Sequence, residues 1–531
     1  MPENECTSDR AQYRRPRRKA KQILDDSKLD PANEILDSAP EEWSISTSIP
    51  QYHSISPSVS HGDRPGRHDF VLGFEELGPQ EALSIIVQDY VHLLFPLIPV
   101  VHLPSFQTDV VNNRADSDTV FRSLLLGICT LVVCQLPRRF LDYKNEQWFS
   151  TFSSPYDFAL HSEKFINSYR LPDYFESASV EKCAIAYLLA MSFYHVGLSG
   201  RATLYWGEVS LFLSFLGADE PRSYSAVNLI EAQLRKKLFW LYVIGKVHQR
   251  LDRPDEGVEN SNWAPLPDHM LFNSDDLAAL MPLEVDDEYL FSDHIVPQPP
   301  DHVSLVAGFN CAVKVFLGFV DLPLEELGSP SRSRGVIDTL RKMYQRTIHL
   351  LDDVPPQLSG WRTGYVHGAE SPNGHDPSNN LRHRQLESLR ANIHVTSLWA
   401  RSRIFERLHG LTSTSTTDDS EFYRIQHNLW SERQYSCERL LHVLYNIRQQ
   451  NLEPNGRSLL FKIRQVAAPL LNCAFEDHTT ISPRARIYIE RFVELLAQLD
   501  KYSFHDTQIV VWRNLESQRR HPVQELVGDR A

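Results

Sequence analysis

The chain has 531 residues and a formal net charge of −14, with 42% hydrophobic, 10% aromatic and 23% charged residues. That length exceeds one simple domain, and that apolar content supports a sizeable core. The acidic balance excludes a body that coats nucleic acid or anionic membrane, so any nucleic-acid contact must be local.

In chain order, residues 1–22 read as a basic arm. Arg10, Arg14, Arg15, Arg17, Arg18, Lys19 and Lys21 follow one another with no acid between them, and Cys6 stands just ahead. Pro16 disfavours helix before it and keeps the arm extended. Residues 23–80, rich in Ser, Pro, Asp and Glu, read as a disordered linker. Within it, "LDDSKLDPANEILDSAPEEW" mixes acids with Ile, Leu and Trp, the composition of either an activation segment or a solvated linker.

From residue 81 the pattern turns helical. "EALSIIVQDYVHLLF" opens it and Pro96 closes the helix. "DTVFRSLLLGICTLVVCQL", "VEKCAIAYLLAMSFYHVGL" and "ATLYWGEVSLFLSFLGA" follow, the last with Gly217 as its C-terminal stop. In "LIEAQLRKKLFWLYVIGKVHQRL", the apolar run Leu238–Ile244 covers every face of two turns and predicts a helix surrounded by others. The basic residues bracketing it, Arg235, Lys236 and Lys237 before and Lys246, Arg250 and Arg253 after, read as its solvated ends. An acidic, Pro-rich passage from Arg253 to His302 interrupts the helices, and "VSLVAGFNCAVKVFLGFV" and "GVIDTLRKMYQRTIHLL" resume them. A loop from Pro355 to Asn380 is a candidate for disorder. "LESLRANIHVTSLWARSRIFERL" then places Leu386, Leu389, Ile393, Thr396, Ala400 and Ile404 on one helical stripe. Three more helices are predicted in 420–450, 457–475 and 482–500. The fold class is all-α: a body in two segments, 81–302 and 303–500, of the same domain, with a tail over 501–531.

The seven cysteines are scattered, odd in number and mostly set in apolar segments, Cys129 and Cys134 acting as small hydrophobes. No CxxC pair, secretory leader or uncharged membrane-length apolar run is present, so the reading is a soluble intracellular chain in a reducing compartment. Chemistry is equally sparse. "IGKVH" lacks the first glycine and the Ser or Thr of a phosphate loop, and "GLSGR" lacks the second glycine of a nucleophile elbow. The carboxylates Asp286, Asp287 and Glu288 in "LEVDDEYL" point in different directions on consecutive positions and read as a solvated acidic turn. His195, His248 and His394 each stand alone on helical segments, more as satisfied polar groups or surface residues than as metal ligands. No residue is assigned to catalysis or to a metal, and the chain is not expected to be an enzyme.

"DYVHLLFPLIPVVHLPSF" resembles the opening signature of the fungal-specific transcription factor domain, the middle homology region of zinc-cluster regulators. Tyr90, Pro96, Pro99, His102, Pro104 and Phe106 carry the match. "RATLYWGEVSLFLSFLGA" and "LRKKLFWLYVIGKVHQRLDRP" look like that family's internal helices and the Arg-Pro step after them. "PLEVDDEYL", "LRANIHVTSLWARSRIFE" and "NLEPNGRSLLFKIRQVAAPLLN" extend the likeness over roughly 85–480. Gly245-Lys246 and Ala218-Asp219 depart from the family's usual pairs.

The resemblance implies a nuclear regulator of transcription, controlling a metabolic gene set such as a secondary-metabolite cluster. DNA would be reached directly or through a partner regulator, with homo- or heterodimers and a small-molecule effector as further partners and no membrane. Arg14, Arg15, Arg17, Arg18, Lys19 and Lys21 would serve nuclear import, phosphate contact or both. The zinc cluster that the family carries needs six thiolates, and this chain has one cysteine, Cys6, before Cys129. Cys6 reads as a stranded ligand, and zinc enters only if a longer N-terminus exists. A late-starting reading frame and a regulator that has shed its DNA-binding module both fit. The alternative is a helical co-regulator or ligand-binding protein that does not touch DNA.

Overall fold

The computed structural model describes residues 80–145, 149–252, 274–318, 330–359, 377–413, 419–472 and 483–500. The basic arm, Cys6, the linker and the 501–531 tail lie outside the described residues. The fold is all-α. Among the described residues no β-strand occurs, and one antiparallel bridge joins Leu290 to Ile295.

Helix α1, Gln80–Asp89, runs into a π-helical turn, Tyr90–Leu94, which Pro96 closes. The Tyr90 hydroxyl crosses that turn and donates to the Ile98 carbonyl at 2.9 Å. Helix α2, Leu103–Val111, takes Pro104 in its first turn, where a missing N–H costs nothing. Helix α3, Thr119–Gln135, is capped by Asp118, whose carboxylate accepts from the Val120 and Phe121 amides at 2.9 and 3.1 Å. Such a cap contributes about 1 kcal/mol. Chain direction then turns through 104° into α4, Pro137–Lys144. Among the described residues no single helix is long and apolar enough to cross a membrane.

Ser154 and Ser179 cap α5, Pro155–Ser168, and α6, Val180–His195. Helix α7, Ser199–Phe215, stops as predicted: Gly217 has φ +59°, the left-handed conformation that glycine adopts without strain. Helix α8, Leu229–Asp252, buries Leu238, Phe239, Trp240, Leu241 and Val243, as an apolar run covering every face requires. A short α9, Ser274–Leu280, precedes α10, Leu305–Leu317, capped by Ser304.

Four longer elements complete the body: α11 (Pro330–His349), α12 (Pro377–Ser413), α13 (Asp419–Asn446) and, past a one-turn α14 (Gln449–Leu452), α15 (Gly456–Ala467). Helix α16, Pro483–Asp500, ends the described chain. Residues Pro377 to Asn380, read from sequence as loop, form the first turn of α12, with proline tolerated at its start. The predicted stripe on α12 is realised, with Leu389, Ile393, Thr396, Ala400 and Ile404 buried and Leu386 partly buried.

Helix α6 packs against α3 and α7, and α12 packs against α10, α11, α13 and α15. These two layers share one hydrophobic core running from Leu83 to Leu496, so segments 81–302 and 303–500 fold together. The described cysteines, Cys129, Cys134, Cys183, Cys311 and Cys437, are buried within it and form no disulfide. Burial pushes the Cys129 thiol up to about 12, which keeps it protonated and inert.

Candidate functional site

The residues singled out for DNA contact or nuclear import, Arg14, Arg15, Arg17, Arg18, Lys19 and Lys21, lie outside the described residues, as does Cys6. Among the residues that carry the resemblance, His102 lies inside the described residues and is buried. The His102 ring accepts from the Ser105 hydroxyl through Nδ1 (2.8 Å), and its Nε2–H faces the carbonyls of Asp287 (2.9 Å) and Leu290 (3.2 Å).

The acidic turn is corrected by the structure. Asp286 and Asp287 are buried, and only Glu288 faces solvent. Asp287 accepts from Lys237 Nζ and from the Leu103 amide, while Asp286 accepts from the Leu305 amide and pairs with His302 and Arg382. The solvated end of α8 is corrected with it, because Lys237 is interior. Burial of a carboxylate is tolerated because cations and amides replace the lost water.

Where the two layers meet lies a cavity of about 290 Å³. Pro96, Leu97 and Ile98 form one wall. Helices α6 and α7 contribute Tyr187, Met191 and Trp206, α8 contributes Leu241, Gly245 and His248, and α10 contributes Phe309 and Phe316. From the far end of the domain come Asn392 on α12 and Arg457, Ser458 and Lys462 on α15. Gly245 has a local reason to be glycine. A Cβ there would stand 2.2 Å from Cη2 of Trp206, so only a bare backbone lets the indole reach the wall.

Lys462 is the unusual group. Its Nζ donates to the Thr396 hydroxyl at 2.8 Å, stands 3.5 Å from Asn392 Oδ1, and lies over the rings of Phe316 and Trp399 at 5.1 and 5.7 Å. No carboxylate among the described residues pairs with it. The other buried lysines are better provided for: Lys237 has the Asp287 carboxylate, and Lys182 has three oxygens within 3.0 Å. Burial without a counter-ion pulls the Lys462 amine down to about 7. Such a perturbed amine in a cavity marks a functional-site candidate.

His248 stacks on Trp399 with ring centroids 5.5 Å apart and planes at 7°. Ser458 Oγ lies 3.3 Å from its Nε2. Burial, with the Lys462 charge adding to it, holds the ring well below the ordinary histidine range, so it is neutral at neutral pH. Its Nδ1 has no hydrogen-bond partner among the described residues. A serine–histidine pair of this kind lacks the third group that orients a catalytic base. His394 is a satisfied polar group, bonded through Nε2 to the Leu358 carbonyl at 2.9 Å.

Sequence reading did not single out Lys462. Its signal was present: on α15 it shares a helical face with the buried Leu459, Ile463 and Val466, where a lysine breaks an apolar stripe. Comparison with family models, with curated proteins and with solved structures gives no match to this chain.

Proposed function

We propose that this chain is a nuclear regulator of transcription of the fungal zinc-cluster type, and that its helical body is the receptor for a small-molecule effector. The observation that carries the reading is the cavity between the two helical layers, walled by residues as distant as Pro96 and Lys462. A ligand held there stabilises the packed arrangement of α6, α8, α12 and α15 over any looser one, by the margin of its binding. The link to transcription is supplied by the family-like motifs between residues 85 and 480. In this reading Arg14, Arg15, Arg17, Arg18, Lys19 and Lys21 supply nuclear import and phosphate contact, which position without reading sequence. Base reading and any zinc belong to a module ahead of Cys6 or to a partner regulator.

Two measurements test the proposal. A fluorescent fusion should accumulate in nuclei and lose that accumulation when residues 10–22 are deleted. Deleting the gene should change transcripts of a coherent metabolic gene set. A protein excluded from nuclei, or an unchanged transcript profile, overturns the reading.

A second arrangement is a co-regulator that reaches DNA through a zinc-cluster partner. Purified chain alone would then fail to shift target promoter DNA in a gel and succeed when the partner is added.

A further inference from the structure

The cavity has a sign. Its lining includes the cations Arg457 and Lys462 and neutral His248, yet no aspartate or glutamate, in a chain whose net charge is −14. Arg457 is already engaged, donating to the Tyr194 carbonyl at 3.0 Å and lying over the Tyr194 ring. Lys462 is not: one hydrogen bond of ordinary length serves an amine with three donors when charged. The first turn of α15, on the same wall, has neither a side-chain cap nor an acidic residue. Around these groups stand Phe309, Phe316, Trp206, Leu241 and Ile98, an apolar lining for an apolar body.

We propose that the cavity takes a small apolar monocarboxylic acid, its carboxylate accepting from Lys462 Nζ and its hydrocarbon or aromatic body filling the space among Phe309, Phe316 and Trp206. The assignment rests on the receptor reading and names the ligand class. A carboxylate supplies the counter-ion that Lys462 lacks, and in a water-poor site that interaction is far stronger than at a surface. A volume of about 290 Å³ lies at the lower end of ligand pockets, which suits a compact acid.

Binding of such an acid takes up a proton. The empty cavity holds the Lys462 amine at about 7, so above that pH it is mostly neutral, and an arriving carboxylate restores its charge. The other titratable or charged groups on the cavity wall are Arg457, His248, Tyr187 and Tyr194. His248 is held neutral, and burial raises Tyr187 further from ionisation, so Lys462 is the group that responds.

The experiment is calorimetry on the full chain with benzoate, 1-naphthoate and octanoate, each beside its neutral amide, in two buffers of different ionisation enthalpy at pH 8. At least one acid is expected to bind at least about tenfold tighter than its amide, with net uptake approaching one proton. Its affinity should fall by up to about tenfold per pH unit above 7. Lys462→Met, an apolar side chain of similar length, should abolish both the acid's advantage and the uptake. The pH series on the unaltered chain separates the same outcomes without any variant. Equal binding of acids and amides, or uptake of no proton, overturns the assignment and leaves the receptor reading standing. A cavity that takes neither acids nor amides overturns both. Borohydride trapping of benzaldehyde on Lys462, with no acid bound, also overturns the assignment by making the amine a nucleophile.

Discussion

Lys237 Nζ donates to Asp287 Oδ1 at 2.8 Å, with the two side chains 2% and 3% exposed. The same carboxylate accepts from the Leu103 amide, so one buried ion pair ties α8, α2 and the segment before α10 together. Removing one member of such a pair strands the other charge in the interior. Lys237→Met or Asp287→Ala should each lower the free energy of unfolding by about 3–5 kcal/mol, measured with guanidinium. Lys237→Met combined with Asp287→Asn should recover much of the loss. Asparagine still accepts from Leu103, and no charge is left unpaired.

Lys462 predicts the opposite direction. In the unfolded chain its amine has the ordinary value of 10.5, and folding lowers it to about 7. Between those values the unfolded chain binds the extra proton, so this group makes stability rise with pH from about 7 to 10, its full cost standing below 7. Lys462→Met should therefore stabilise the ligand-free protein at pH 7, by on the order of a few kcal/mol, and flatten this rise. Urea denaturation of both proteins at pH 7 and pH 9 measures it. A variant less stable than the parent at pH 7 contradicts an uncompensated buried amine.

Gly245 and Trp206 share one space. Gly245→Ala puts a methyl 2.2 Å from the indole, and the helix or the ring must move. The expected cost is about 1–3 kcal/mol, read as a lowered unfolding temperature. Gly245→Ala with Trp206→Phe should be less destabilised than the sum of the two single changes, because the smaller ring makes room.

Asp286 accepts from the Leu305 amide, at the first residue of α10, at 2.7 Å while His302 Nε2 sits 2.6 Å from its other oxygen. Asp286→Ala removes the acceptor for the Leu305 amide and the partner of Arg382 together, with the Ser304 cap left in place. A loss of about 2–4 kcal/mol in urea is expected, more than a cap alone contributes. Asp286→Asn, which still accepts from Leu305, should lose less.

Local pattern explains what sequence reading recovered. The buried α8 run, the α12 stripe and the stop at Gly217 are each written in neighbouring residues, because helical periodicity and left-handed glycine need no distant partner. The all-α architecture follows from many such signals. What stayed hidden depends on groups far apart in sequence. Asp286 and Asp287 look solvated until Lys237, Arg382 and two backbone amides are brought to them. Lys462 shows in the sequence only as a break in an apolar stripe, and its burial is apparent only once Trp399, Phe316 and Thr396 close over it. Side-chain type at one position does not specify burial, and burial is what changes the chemistry.

The cavity draws its walls from both ends of the domain. Gln135 donates to the Pro454 carbonyl across 319 residues, Gln385 to Val91 across 294, and Arg457 to Tyr194 across 263. A chain emerging from the ribosome must carry its first helices, with Pro96 to Ile98 bare, until α15 has been synthesised. No fragment cut between those ends can be expected to keep the cavity intact.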